Sequence, residues 1–481
     1  MNDQPAQVPP NRKTHRLKTV VLVLLGFFAL YFVYRYSLSS SIQGRLDSIR
    51  QAGLPTTCPE IEKWYPQPAA ENAADTYREA FGHYEMWTNK EAQFSAPADA
   101  ANKSRFSSPP HSKRDLLPVD GKAKLPARTE PLPADTQKVI AEYLSDNAEA
   151  LRLLHQAASI KSCRYPVEFS KGFDMRLPHL SLVREAARML YLEAIQNTEE
   201  QKPQQALESV IASLGVARSL NQEPILISYL VHVACQGITL ESLERILNRM
   251  PLTDTQLSEL AAAIEESENQ QGLTRAFVGE RYIGIDIFQG IGTGRIAYGE
   301  IFNSGNGAIP RISLLVRLYK AAGLLELDEM SYLDLMERYV NTTRLPPPEC
   351  IAASHAVNAK AGHVSQLHVL CHELLPALDN VVIKEGRRAA IVRDMESAVA
   401  IERYRLTNGN LPSQLSDLVP TFLPAVPNDP FDGKPLRYKM LTKGYVVYSV
   451  GDDREDNGGV EKNSKGVSWV PGTDITFTVE R

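Results

Sequence analysis

The chain has 481 residues, of which 43% are hydrophobic and 23% charged, which is ordinary for a globular protein and long enough for two or three domains. Its formal net charge of -5 and pI near 6.1 offer no basic face, so nucleic-acid binding is not expected. Five cysteines, Cys58, Cys163, Cys235, Cys350 and Cys371, are too few for a disulfide scaffold and fit no zinc spacing. Cys235 reads as a small core residue, and Cys350 with Cys371 are candidates to pair in an oxidising compartment.

In chain order, residues 1–16 read as a cytoplasmic tail and Leu17 to Tyr36 as a transmembrane anchor. The apolar core runs from Thr19 to Tyr34, and Lys18 and Arg35 flank it with side chains able to reach the headgroups, extending the span to roughly 20 residues. Arg12, Lys13, Arg16 and Lys18 precede it with Asp3 alone against them. The positive-inside rule therefore puts the N-terminus in the cytoplasm and the bulk of the chain outside the cell membrane, in the periplasm. The rival is a cleaved signal peptide, favoured by the small residues Ser37 to Ser41; the length of the aromatic-rich core argues for an anchor.

Residues 37–93 read as a membrane-proximal helical segment and 94–133 as a proline-rich surface linker. From Ala134 to residue 375 apolar residues return at helical spacing, for example Leu182, Val183, Ala186, Ala187 and Leu190, then Leu207, Val210, Ile211 and Leu214. Pro224 opens the most apolar helix, Ile225 to Leu247, which belongs at the centre of a core. Thr253 with Gln256 spells a capping box for a helix from Asp254 to Glu266. Short loops between such helices imply antiparallel hairpins, either stacked as a repeat-like array or gathered as an irregular bundle. Glycines between Arg281 and Pro310 read as a break, with helices again at Leu314 to Ala322 and Ser331 to Val340.

Two motifs invite a chemical reading and fail it. His368 and His372 stand four apart, with His363, Cys371 and Glu373 near, but Val369 occupies the place where a metalloprotease helix needs glutamate, and no third ligand follows from spacing. Gly290, Gly292 and Gly294 imitate a phosphate loop without a preceding strand or a following lysine, and read as a flexible break. No catalytic residue and no cofactor site is assigned.

Residues 376–481 form the most legible unit. Ala389, Val392, Met395, Ala398, Ile401 and Leu406 describe one buried helix face, ended by Asn408, Gly409 and Pro412, with a short turn after Ser413. Four prolines, Pro420, Pro424, Pro427 and Pro430, keep the next stretch extended. Leu436 to Met440 and Tyr445 to Val450 then make a hairpin about Gly444, with Val446 and Tyr448 taken as inward, and Ile475, Phe477 and Val479 a third strand. With its own hairpin and helix the unit is expected to fold alone from about Asp379.

The Tyr404-Arg405-Leu406 and Asn408-Gly409 helix end, the Asp429-Pro430-Phe431 and Gly433 turn, the Tyr448-Ser449-Val450-Gly451 strand end and the Asp474-Ile475 pair resemble the globular domain of the major pseudopilin of type II secretion systems, over about the last hundred residues. That resemblance implies a calcium ion on the loop after the second strand, with Asp453 and Asp474 as side-chain ligands, Val450 as a carbonyl ligand and Asp452 and Asp456 nearby, oxygen donors suited to a hard cation. Arg454 stands where the family usually has glycine and Thr473 where a second aspartate is common; the other reading of Asp452 to Gly459 is a solvated turn. The short leader and processed N-terminal helix of a pseudopilin are not found, so filament assembly is not expected. Through Trp64-Tyr65-Pro66, Arg164-Tyr165-Pro166, Leu177-Pro178-His179-Leu180 and Asp429 to Tyr438, the whole chain also resembles bacterial membrane-anchored proteins that join such a helical region to a pseudopilin-like end, a likeness that carries no activity.

The expected fold class is therefore α+β: a transmembrane helix, a mainly helical middle of hairpins, and a C-terminal helix with a small antiparallel sheet. The expected role is a membrane-anchored extracytoplasmic binding or scaffold protein that meets a protein partner through its helical region. The alternatives are an accessory component of a secretion or pilus-like system, or an enzyme whose site is assembled from distant helices.

Overall fold

A computed structural model describes residues 12–85, 87, 113–118, 125–268, 271–298, 316–375, 378–461 and 472–481. Most of the expected linker and the residues from 299 to 315 lie outside that set. The described part is mostly helical, with an apolar N-terminal helix and one small antiparallel sheet.

Helix α1 is unbroken from Arg12 to Gln51. Side chains from Val20 to Tyr36 project outward, Phe27 and Phe32 each about two thirds exposed, whereas Leu38, Ile42, Leu46 and Ile49 are buried at spacings of four, four and three. The expected anchor is thus only the first half of a longer helix. Its second half packs on α11 (Leu324–Thr342) and belongs to the same core as Phe277, Phe288, Tyr332 and Met336.

The chain then runs through α2 (Cys58–Trp64), α3 (Ala73–Gly82), α4 (Ala134–Asp146), α5 (Ala148–Ser159), α6 (His179–Glu199), α7 (Pro203–Arg218), α8 (Leu226–Arg249) and α9 (Asp254–Ser267). Helices α6 to α9 succeed one another through short loops and lie side by side, α6 against α7 and α8, and α7 against α9. The capping box of α9 is formed: Gln256 N donates to Thr253 Oγ1 at 3.3 Å and Thr253 N donates to Gln256 Oε1 at 2.9 Å. By length and composition α8 passes for a membrane span, but half of its most apolar stretch is buried, as expected of a central core helix.

Two expectations need correcting here. The stretch from Leu125 to Pro133, at the surface as expected of a linker, is nevertheless tied to the body: Leu132 is buried, and the Arg128 guanidinium reaches Glu244 at 2.6 Å, Glu461, and Glu480 at 3.3 Å. Gly284, Gly290 and Gly292 do not break the helix, since α10 continues from Gly272 to Thr293 and ends on Gly294 at φ 83; the rest of the expected break, from residue 299 to Pro310, lies outside the described residues. Gly284 and Gly290 serve close packing, since a Cβ there would fall 2.1 Å from the Tyr332 hydroxyl oxygen and 2.4 Å from Ile296 Cδ1, and so does Gly279, which precedes the expected break. A Cβ on Gly279 would sit 1.7 Å from the Pro224 carbonyl oxygen, so Gly279→Ala is expected to lower unfolding stability by about 1–3 kcal/mol in chemical denaturation.

After α11 come α12 (Glu349–Gly362), α13 (Val369–Leu374) and the long α14 (Leu378–Asn408). Strands β1 (Arg437–Met440), β2 (Tyr445–Ser449) and β3 (Ile475–Val479) form an antiparallel sheet in that order, with Arg437 opposite Tyr448 and Val447 opposite Phe477. Every residue of β2 is buried, because β2 is the central strand and both faces are covered. Tyr445 and Val447, not Val446 and Tyr448, face the large core with Phe477 and Val479, while Gly459 lies against Val446 and Tyr448 on the other face.

That core is not private to the C-terminal part. Leu207, Val210 and Leu214 of α7, Leu243 and Leu247 of α8, and Leu257 and Leu260 of α9 share it with Val392, Met395 and the sheet. The free edge of β3 is held by α8: Thr478 N donates to Glu244 Oε1 at 2.8 Å, and Asn248 Nδ2 donates to the Thr478 carbonyl at 2.7 Å. A fragment starting at Asp379 therefore loses half of its core, contrary to the expectation of an independent unit. It is expected to melt without a cooperative transition; a sharp melt by circular dichroism would contradict the shared core.

Candidate functional site

Where the sequence pointed to chemistry, the structure disperses it. His368 is the residue before α13 and His372 lies within it, its Nε2 3.3 Å from the Val364 carbonyl; Cys371 is buried, and its N–H donates to Asp328 Oδ1 at 3.0 Å. All five cysteines are free, so Cys350 and Cys371 do not pair. Gly290 and Gly292 lie in the last turn of α10, and Gly290 makes room for the Ile296 side chain rather than for a phosphate.

In the acidic loop, Asp452 forms a two-point ion pair with Arg387. Asp453 accepts from Glu455 N and Gly472 N, both at 3.1 Å, and so ties the two ends of the loop together. Asp474 accepts from Gly459 N at 2.8 Å and Asn457 N at 3.3 Å, and Asp456 from Gly458 N at 2.9 Å and the Tyr448 hydroxyl at 3.1 Å. Val450 N donates to Asp429 at 2.8 Å. Among the described residues no three carboxylate, histidine or cysteine side chains converge on a point that could hold a metal. These carboxylates are turned toward backbone N–H groups and arginine.

A better-formed candidate lies where α2, the start of α10, residues 343–350 and α14 meet. It is a cavity of about 640 Å³ walled by Trp64, Leu273, Arg275, Arg344, Leu345 and Arg393, with Glu268, Glu385 and Arg388 at its back. Pro346, Pro347 and Pro348 stiffen the rim between α11 and α12. Arg388, 4% exposed, organises the back wall: it meets Glu385 at 2.6 and 2.8 Å, Glu268 at 2.6 Å and Gln236 Oε1 at 3.2 Å. The Tyr229 hydroxyl completes the group by donating to Glu385. Burial alone would raise the Glu385 carboxyl, but the adjacent Arg388 guanidinium outweighs it and holds Glu385 below the usual carboxylate range. Beside them His232 is pushed down to about 4 by burial and then by Arg388; it is neutral and its Nδ1–H donates to the Ala217 carbonyl at 2.9 Å.

The front of the cavity is different. Arg275 stacks on Trp64, its guanidinium carbon 4.9 Å from the ring centroid, and burial lowers its pKa. Neither Arg275 nor Arg344 has a carboxylate partner among the described residues. Sequence reasoning missed this site because its residues are scattered from position 64 to 393; the one local signal was Glu385 three residues before Arg388, two opposite charges on the buried stripe of a helix.

Carboxyls that form no ion pair among the described residues add a pH dependence. Burial pushes Glu280, Glu329 and Glu396 up to about 7, with Glu326 adding to Glu329 and Glu268 to Glu396. Each keeps its proton in the fold at pH values where the unfolded chain has lost it. Their stabilising contribution is full below the ordinary value of 4.5 and is lost as the pH rises through about 7. The unfolding midpoint is expected to fall across that window, and Glu396→Gln to flatten the fall in a pH series of denaturant titrations.

No family model, no curated protein and no solved structure matches the chain.

Proposed function

We propose that this chain is a membrane-anchored, extracytoplasmic binding and scaffold protein whose body is mounted rigidly on its transmembrane helix. The observation that carries the reading is the continuity of α1, whose outward-facing apolar half, Val20 to Tyr36, passes without interruption into a half buried in the core. Arg35 pairs with Glu326 and Arg45 with Asp334 at 2.6 Å, while the Tyr31 hydroxyl donates to the Ala321 carbonyl at 3.0 Å, so the body grips the helix on both sides of the expected membrane surface. This supports an anchor over a signal peptide, because cleavage between Ser37 and Ser41 would cut a helix turn bounded by the buried Leu38 and Ile42. Reporter fusions after residue 60 are expected to be active only when exported. Leu46→Asp, which puts an unpaired charge at a position 1% exposed, is expected to free the body from α1 and expose the helix to limited proteolysis; an unchanged digestion pattern would argue against the mounting.

The likeness of the sheet and acidic loop to a pseudopilin supports a contact surface at that end for a protein partner, and calcium belongs to the same proposal. If an ion joins Asp453 and Asp474, a hundredfold excess over its dissociation constant stabilises the full chain by about 2.7 kcal/mol, magnesium does less, and Asp474→Asn abolishes the effect. Equal melting midpoints in calcium and chelator would leave the loop as a hydrogen-bonded turn.

A further inference from the structure

Ionic accounting inside the cavity described above is unbalanced. Four arginines, Arg275, Arg344, Arg388 and Arg393, line it against two glutamates, Glu268 and Glu385, leaving a formal excess of two positive charges. The glutamates are both spent on Arg388. Arg393 donates to the Asn428 carbonyl at 2.6 Å, which leaves its charge uncompensated by that contact. Arg275 forms no ion pair among the described residues, and its Nε is buried without a hydrogen-bond partner there.

The surroundings of these charges are apolar and aromatic. Trp64 forms a flat wall under Arg275, and Leu273 and Leu345 line the sides. The start of α10 borders the same space and has no side-chain cap at its N-terminus, so its positive end reinforces the arginines. A volume of about 640 Å³ suits a small organic molecule rather than an inorganic ion alone or a peptide strand.

We infer that this cavity binds a small amphipathic anion, a carboxylate or phosphate monoester on a flat apolar body, with the charged group taken by Arg275 and Arg344 and the body laid against Trp64. Guanidinium groups offer paired N–H donors that match both oxyanions, and stacking on Trp64 fixes the Arg275 plane in advance, which lowers the ordering cost of binding. The inference does not depend on the membrane anchor, and its failure would leave that reading intact.

The test uses the full-length protein in lipid nanodiscs, with Trp87→Phe and Trp469→Phe so that Trp64 is the sole tryptophan of the three in the chain. Phenyl phosphate, phenol and inorganic phosphate are titrated while Trp64 fluorescence is followed. Phenyl phosphate is expected to give a saturable change at lower concentration than either of the others. The pair Arg275→Gln and Arg344→Gln is expected to weaken phenyl phosphate at least about tenfold while leaving phenol unaffected, a change of about 1.4 kcal/mol. Arg344→Gln alone, at an exposed position on the rim, supplies the same comparison in a protein whose fold is not in question. Equal responses to phenol and phenyl phosphate, equal responses to inorganic and phenyl phosphate, no saturable response to phenyl phosphate, or arginine variants that bind phenyl phosphate as the parent does would each overturn the inference.

Discussion

Arg388→Ala is expected to cost about 3–5 kcal/mol of unfolding stability, the range for removing one partner of a buried ionic group. The guanidinium joins Glu385 of α14, Glu268 just after α9 and Gln236 of α8, so its loss leaves two carboxylates and an amide without the donor that they share. Glu385→Gln with Arg388→Met, which removes the main charges together, should be milder than Arg388→Ala, because no buried charge is then left opposite an empty site at Glu385. Urea titration followed by circular dichroism separates the cases: a loss below about 1 kcal/mol for Arg388→Ala would mean the network is wet and merely decorative.

Phe477→Ala carries the other large effect, again about 3–5 kcal/mol, since the ring is wholly buried between the sheet and helices α7 to α9. Lys439→Ala, on the exposed end of β1, should change stability by less than about 0.5 kcal/mol. The contrast also tests the shared core. If α7 to α9 and the sheet belong to one cooperative unit, Phe477→Ala lowers the midpoint seen by every probe, whereas separate units would give a second, unshifted transition.

How much of this was legible in the sequence depends on the range over which each signal acts. Local chemistry was readable: the Thr253 and Gln256 capping box, the start of α8 after Pro224, the hairpin about Gly444 and the third strand at Ile475 all form as their residue types require. Period-two alternation placed β2 but misassigned its inward face, because a central strand covered on both sides is buried at every position and alternation loses its meaning there. Glycines misled in α10, where Gly284 and Gly290 permit close contact with Tyr332 and Ile296 instead of breaking the helix. Proline and charge in residues 125–133 likewise suggested a linker, although Arg128 is tied to three glutamates distant in sequence. The cavity was invisible for a similar reason: Trp64, Arg275, Arg344 and Arg393 meet only once four separate segments are folded.

The central claim is that α1 is at once membrane span and core helix. The most direct measurement is the intact mass of the protein recovered from membranes after a carbonate wash. The account predicts a membrane-retained species that still contains residues 17–36. A soluble species beginning between about residues 37 and 42 would show that the segment is a cleaved signal peptide and that the body stands without its anchor.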